Sequence, residues 1–264
     1  MKMEQIAIRL FFALFLALVT VGSVSAHHAM EYIEMESYTT ARKGEAVYHL
    51  HYDQMVDDED NPGLDHWELT PGFSYGIVDR LMLDIHTHFA KFGVGHVVPG
   101  RQAEFAPGGP SPFMEAVATS LQYRVTEGAI VDVAVVGTLE IPFGRSEDLL
   151  GSEDNVYAGL LILGKDFEGH RNITANLGYE KEGDEDGISW GLAAKSPISP
   201  ETHGIAAGIE LLGSFEDAGD NWSVLPGVYM PLGGQNTTLK TGLELGKADG
   251  AGTMRANVTL MYKF

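Results

Sequence analysis

The chain ends on MRANVTLMYKF, residues 254–264, in which Met254, Ala256, Val258, Leu260, Tyr262 and Phe264 alternate with Arg255, Asn257, Thr259, Met261 and Lys263. A period of two sends successive side chains to opposite faces of an extended strand, so this strand has one apolar and one more polar face. A soluble sandwich strand alternates in the same way. Such a chain, however, rarely stops on the strand itself with an aromatic as its last residue.

Working back from that end, the pattern recurs. Ala46, Tyr48, Leu50 and Tyr52 alternate with Val47, His49, His51 and Asp53. Trp67, Leu69, Phe73 and Tyr75 alternate with His66, Glu68, Thr70 and Ser74, and Leu81, Leu83, Ile85 and Phe89 with Met82, Asp84, His86 and His88. Residues 117–125, 129–141, 156–165, 173–179, 188–194, 205–211, 222–230 and 239–245 continue the series, which with the last strand reaches twelve. Each segment is near the length of about 9–11 residues that a tilted strand needs to cross hydrocarbon, and single-chain bacterial barrels have an even number of strands. Short links at 76–80, 126–128, 166–169, 197–201 and 232–236 interleave with longer ones at 55–65, 91–111, 142–155, 180–187, 215–221 and 247–252.

The expected fold is therefore all-β: a 12-stranded antiparallel transmembrane β-barrel with short periplasmic turns and long acidic extracellular loops. A soluble sandwich or lipocalin-like barrel is the alternative, and it would turn its polar faces outward. Trp67, Tyr75, Phe89, Tyr123, Tyr179, Trp222, Tyr262 and Phe264 fall near strand ends on the apolar faces, as interfacial girdles do. The final Phe264 with Tyr262 two positions before it resembles the signal by which the barrel assembly machinery recognises outer-membrane barrels. The expected surroundings are thus outer-membrane lipid and lipopolysaccharide in a Gram-negative bacterium, with the C-terminus in the periplasm.

Composition narrows the function classes. The 264 residues hold 17 Lys and Arg against 37 Asp and Glu, a formal net charge of -20. A chain this acidic repels phosphate backbones, so nucleic acid is excluded as a partner. There is no cysteine, hence no disulfide, no thiolate nucleophile and no Cys-held metal. The 32 glycines, about 12% against a usual 7%, argue against a helical protein. At the start, Lys2 and Arg9 precede an apolar run from Leu10 to Val21, and Val24-Ser25-Ala26 offers small residues for cleavage. Residues 1–26 read as a signal peptide, because the run falls short of the roughly 20 residues of a spanning helix. Cleavage would remove Lys2, Arg9 and Glu4, leaving 15 basic and 36 acidic residues and a net charge of -21. Residues 27–44 then form a periplasmic N-terminal segment and 45–264 the barrel.

The stretch WELTPGFSYGIVDRL at 67–81, with LEIPFG at 139–144 and the glycine-led strand 204–213, resembles the transporter-like outer-membrane barrel family named for the meta-pathway of phenol degradation. The likeness runs as a pattern over most of residues 65–264. It implies a passive barrel for small hydrophobic or aromatic solutes and supplies no catalytic residues.

The first three strands depart from that pattern. In a barrel with apolar exterior, His49, His51, Asp53, His66, Glu68, Asp84, His86 and His88 all point into the lumen from adjacent strands. If the turn at 76–80 pairs Tyr75 with Leu81, Glu68 faces His88 and Thr70 faces His86; the register of the first strand is open. Two His with a carboxylate suit Zn, Cu, Ni or Fe(II) rather than calcium or magnesium, although such groups also satisfy one another by hydrogen bonds without metal. No cofactor is required by this reading. His27 and His28, at a new amino terminus, form a second candidate copper chelate or a plain tail. Acidic runs at 57–60, 147–148, 153–154, 182–186 and 216–220 gather in the longer links, where their field concentrates cations.

No GxSxG, GxxxxGK[ST] or HExxH motif occurs, and nothing singles out His170 or His203 as a partner for a serine, so an enzyme is not expected. Two readings remain: a channel or transporter-like barrel passing small solutes, hydrophobic or aromatic compounds or cations, and a barrel whose lumen binds metal rather than conducts.

Overall fold

A computed structural model describes residues 32–56, 65–92, 113–143, 154–198, 204–216, 219–232, 236–248 and 251–264. Twelve strands run antiparallel: β1 (Ala46–Val56), β2 (His66–Val78), β3 (Leu81–Phe92), β4 (Phe113–Arg124), β5 (Asp132–Pro142), β6 (Val156–Phe167), β7 (Arg171–Glu182), β8 (Glu185–Pro197), β9 (Ala206–Glu216), β10 (Gly219–Pro231), β11 (Thr237–Ala248) and β12 (Ala251–Lys263). Each pairs with its neighbour in sequence, and β1 pairs with β12 to close the barrel. Closure leaves no edge strand, so every strand backbone has a partner without help from solvent. The seam is completed by Phe264 N–H donating to the Ala46 carbonyl at 2.9 Å.

Burial is the inverse of a water-soluble domain. Leu121, Leu177 and Leu245 are each at least half exposed, whereas Glu210 and Asn257 are wholly buried and Thr174 nearly so. Large apolar side chains thus cover the outside and polar ones line the inside, the arrangement expected where lipid is the outer solvent. Tyr75, Tyr123, Tyr262 and Phe264 ring the end with the short turns, and Tyr157, Tyr179 and Trp222 the other end. Tyr262 and Phe264 meet edge to face, ring centroids 4.7 Å apart.

Two details differ from the sequence reading. Of the six links read as long, three are reduced to two residues, because the pairing continues to Glu182↔Glu185, Glu216↔Gly219 and Ala248↔Ala251. Alternation had weakened in those polar strand ends, which hid them. The acidic runs at 57–60 and 147–148 lie outside the described residues.

The second difference is larger. The sequence reading made residues 27–44 a periplasmic segment; the structure runs residues 32–41 into the lumen, while 42–44 are exposed at its mouth beside the turn after β2. Tyr32, Ile33, Met35, Ser37 and Tyr38 are all buried there. Tyr32, Ile33 and Met35 pack with Ala193, Leu225 and Tyr229 on the inner wall, and Tyr38 with Ala134 and Ile162. The physical reason is that these apolar side chains find dry partners only inside the barrel, at roughly 1.5–3 kcal/mol for a large one fully buried.

Candidate functional site

The inserted segment is held by the wall through its own backbone. Glu210 on β9 accepts the N–H groups of Ile33 at 2.7 Å, Glu34 at 3.0 Å and Met35 at 2.8 Å, and the hydroxyl of Tyr229 donates to it at 3.1 Å. Gln122 on β4 donates to the carbonyls of Ser37 and Thr39 at 2.7 and 3.0 Å, and Lys240 on β11 to that of Tyr32 at 2.9 Å. A chain with no secondary structure of its own would otherwise bury unpaired peptide groups, each costing about 1–3 kcal/mol. Asn172 on β7 accepts from the Tyr32 hydroxyl and donates to that of Tyr38. Burial, the largest influence, raises both phenols above their ordinary pKa. Lys195 sits 5.4 and 4.9 Å from the ring centroids of Tyr32 and Tyr229, a cation–π arrangement.

Glycines on the inner wall make the sockets. A Cβ at Gly227 would lie 2.5 Å, and one at Gly242 2.8 Å, from Cδ1 of Ile33; these two glycines are paired across β10 and β11. At Gly191 it would come within 2.8 Å of the Met35 sulfur, and at Gly164 it would overlap the Tyr38 ring. The segment thus fits a wall whose side chains are missing where it lies.

Above the segment, the eight lumen residues expected from the sequence do share one inner surface, but they divide into smaller sets. The hairpin turns at Asp79 and Arg80, with Val78 opposite Leu81, and a bulge between Gly76 and Val78 moves the register by one, so Tyr75 faces Leu83, Gly72 faces His86 and Glu68 faces Ala90, two positions from the expected pairing. This replaces the expected Glu68–His88 and Thr70–His86 pairs; a shift of two keeps every side chain on its face. β1, whose register was open, sets His49 opposite Gly72, His51 opposite Thr70 and Asp53 opposite Glu68.

The first set is His49, Asp84 and His86. His49 Nε2 stands 3.5 Å from Asp84 Oδ2, and His86 Nδ1 2.8 Å from Asp84 Oδ1, while Ser74 donates its hydroxyl to Asp84. The second joins His51 to Asp53 at 3.0 Å and to Glu34 of the inserted segment at 3.4 Å, with Thr259 bonded to His51 at 2.6 Å. Arg255 extends it, 3.6 Å from Glu34, 3.5 Å from Asp53 and 3.8 Å from Glu244. Burial alone would raise the Glu34 carboxyl; the His51 hydrogen bond and the Arg255 charge outweigh it and hold the group below the ordinary carboxylate range. His66 lies 3.7 Å from Glu68, and His88 lies 3.8 Å from Glu140 with Thr70 at 3.4 Å. His27 and His28 lie outside the described residues.

A cavity of about 370 Å³ opens between the segment and this surface, lined by Glu34, Glu36, Asp53, Glu68 and Asp84 together with the four histidines at 49, 51, 86 and 88. A second, of about 670 Å³, lies on the far side of the segment, with Trp190, Leu160 and Leu212 beside Glu36, Glu180 and Glu244. Sequence reasoning missed Glu34, Glu210, Gln122, Lys240 and Arg255. Arg255 and Glu210 were visible only as charges on polar strand faces.

Fold and interior together define a closed twelve-stranded outer-membrane-type barrel with part of its own N-terminal chain inside. No family model matches the sequence, and no curated protein matches it. Solved structures do match: the COG4313 outer membrane channel from Pseudomonas putida F1, at 13% identity and TM-score 0.56, over 88% of this chain and 100% of that one. The KdgM porin is similar at 10% identity and TM-score 0.52, over 82% and 99%. At such identities the likeness establishes the shared fold.

Proposed function

We propose that this chain is a channel or transporter-like barrel of the bacterial outer membrane that passes small solutes, cations foremost, and that residues 32–41 are its internal gate. The observation that carries the reading is the lining of the 370 Å³ cavity, where five carboxylates from the wall and the segment outnumber the two cationic side chains, Lys240 and Arg255. Low-dielectric walls focus such a field, raising the local concentration of cations and repelling anions. Export by a signal peptide at 1–26, assembly through Phe264, and an acidic rim that binds the divalent ions bridging lipopolysaccharide complete the picture. Small aromatic solutes are the second reading, favoured by Trp190, Leu160 and Leu212 around the 670 Å³ cavity and by the resemblance to the phenol meta-pathway barrels.

The test is the reversal potential of the purified barrel in a planar bilayer under a KCl gradient. A potential of the sign set by K⁺ supports the reading; a potential set by Cl⁻ contradicts it.

A further inference from the structure

His49, Asp84 and His86 come from two strands that are not neighbours, β1 and β3, and meet across β2. They can do so because the residue between them is Gly72, paired with His49 on one side and His86 on the other. A Cβ at position 72 would collide with the His49 imidazole, so any other residue there would drive the ring away from Asp84. Each of the three residues offers a ligand atom within 4.8 Å of the other two. Metal bonds of about 2.0–2.1 Å in tetrahedral geometry put ligand atoms about 3.4 Å apart, so small ring rotations suffice. The His49–Asp84 separation of 3.5 Å already matches.

We infer that His49, Asp84 and His86 form a binding site for a divalent transition-metal ion of the zinc class, open to the lumen. Two imidazoles and one carboxylate match the borderline character of Zn²⁺, Cu²⁺, Ni²⁺ and Fe²⁺, whereas Ca²⁺ and Mg²⁺ demand more oxygen ligands. Three protein ligands leave a coordination position for water, and the cavity beside them supplies the access route. Ser74 donates to the carboxylate and fixes its orientation, the role outer-shell partners play around metal ligands. His51 is outside the site, engaged with Asp53, Glu34 and Thr259. Binding at this site requires the folded barrel and does not require that the lumen conduct.

The test is equilibrium dialysis of Zn²⁺ against the refolded, chelator-stripped barrel carrying His27→Ala and His28→Ala, with Co²⁺ absorption as a second readout. Barrel closure in each variant is checked by the heat-dependent gel mobility of folded barrels. One equivalent of Zn²⁺ should be retained, with tetrahedral or five-coordinate Co²⁺ bands. His49→Ala and Asp84→Asn should each weaken binding at least tenfold, and Gly72→Val should do the same without removing a ligand. His51→Ala should bind as the parent does. Absence of stoichiometric Zn²⁺ in the parent overturns the site, as does unchanged affinity in folded His49→Ala or an equal loss in His51→Ala.

Discussion

The carboxyl group of Glu210 accepts the backbone N–H of Ile33 at 2.7 Å, a bond between the middle of β9 and a residue 177 positions earlier in the chain. The same carboxyl takes the next two N–H groups, so three consecutive peptide units of the inserted segment converge on one side chain. A buried peptide N–H left without its acceptor costs about 1–3 kcal/mol, so three of them on one carboxyl make Glu210 a major tie between wall and segment. Glu210→Ala should release the segment while leaving the strands paired. In a chain otherwise free of cysteine, Met35→Cys reports the release, because a bulky maleimide cannot reach the buried position. Modification should speed up by an order of magnitude or more in Glu210→Ala; equal rates would show that the carboxyl does not hold the segment.

Ile33 occupies the gap left by Gly227 and Gly242. Gly227→Val places a side chain well suited to a strand in that gap, so the wall is not weakened while the socket is filled. The Met35→Cys reporter should again become accessible, and a second change, Ile33→Ala, should restore part of the protection by making room. If Gly227→Val alone leaves the reporter protected, the socket does not set the position of the segment.

Glu34 ties the segment to His51 and Arg255, and its carboxyl is held below the ordinary range. A depressed carboxyl stabilises the bound segment at pH values above its ordinary pKa of about 4.3 and loses that contribution as pH falls through the depressed value. Channel opening, measured as open probability in a bilayer, should therefore rise as pH falls below about pH 4.3. Glu34→Gln should remove the acid-dependent part. An identical acid response in Glu34→Gln would assign the effect to other groups.

Leu177 faces outward near the middle of β7, paired with Leu161 of β6, and is 54% exposed. If lipid covers that face, Leu177→Arg should cost about 2–4 kcal/mol in urea unfolding from vesicles. Thr237→Arg, at the end of β11, should cost far less. Equal tolerance at both positions would be incompatible with a hydrocarbon environment around the wall.

All twelve strands and their order were legible, because the alternation of apolar and polar residues is the physical requirement of a wall between lipid and a wet lumen. The final strand, Met254 to Phe264, shows it with Met261 alone out of pattern. The lumen face of His49, Asp84 and His86 followed from the same alternation. Their grouping did not, since the turn at Asp79–Arg80 and the bulge at Gly76–Val78 together move each partner by two from the expected register while leaving the face unchanged. The inserted segment was hidden for a different reason. Residues 32–39 have no periodicity, and what places them is the absence of side chains far away in sequence, at Gly164, Gly191, Gly227 and Gly242. Those glycines read as ordinary strand glycines until the segment lies against them.

The most direct measurement is the conductance of a barrel of residues 27–264 compared with one of residues 41–264, which keeps the hydrogen bond of Gly44 N–H to the Gly76 carbonyl that anchors the remainder. With the segment present, single-channel recordings should show a mostly closed, briefly opening pore. Without it, a steady, ohmic, cation-selective current should appear. Equal steady conductance in both proteins, or a closed truncated barrel with normal gel mobility, would contradict a lumen gated by its own N-terminal chain.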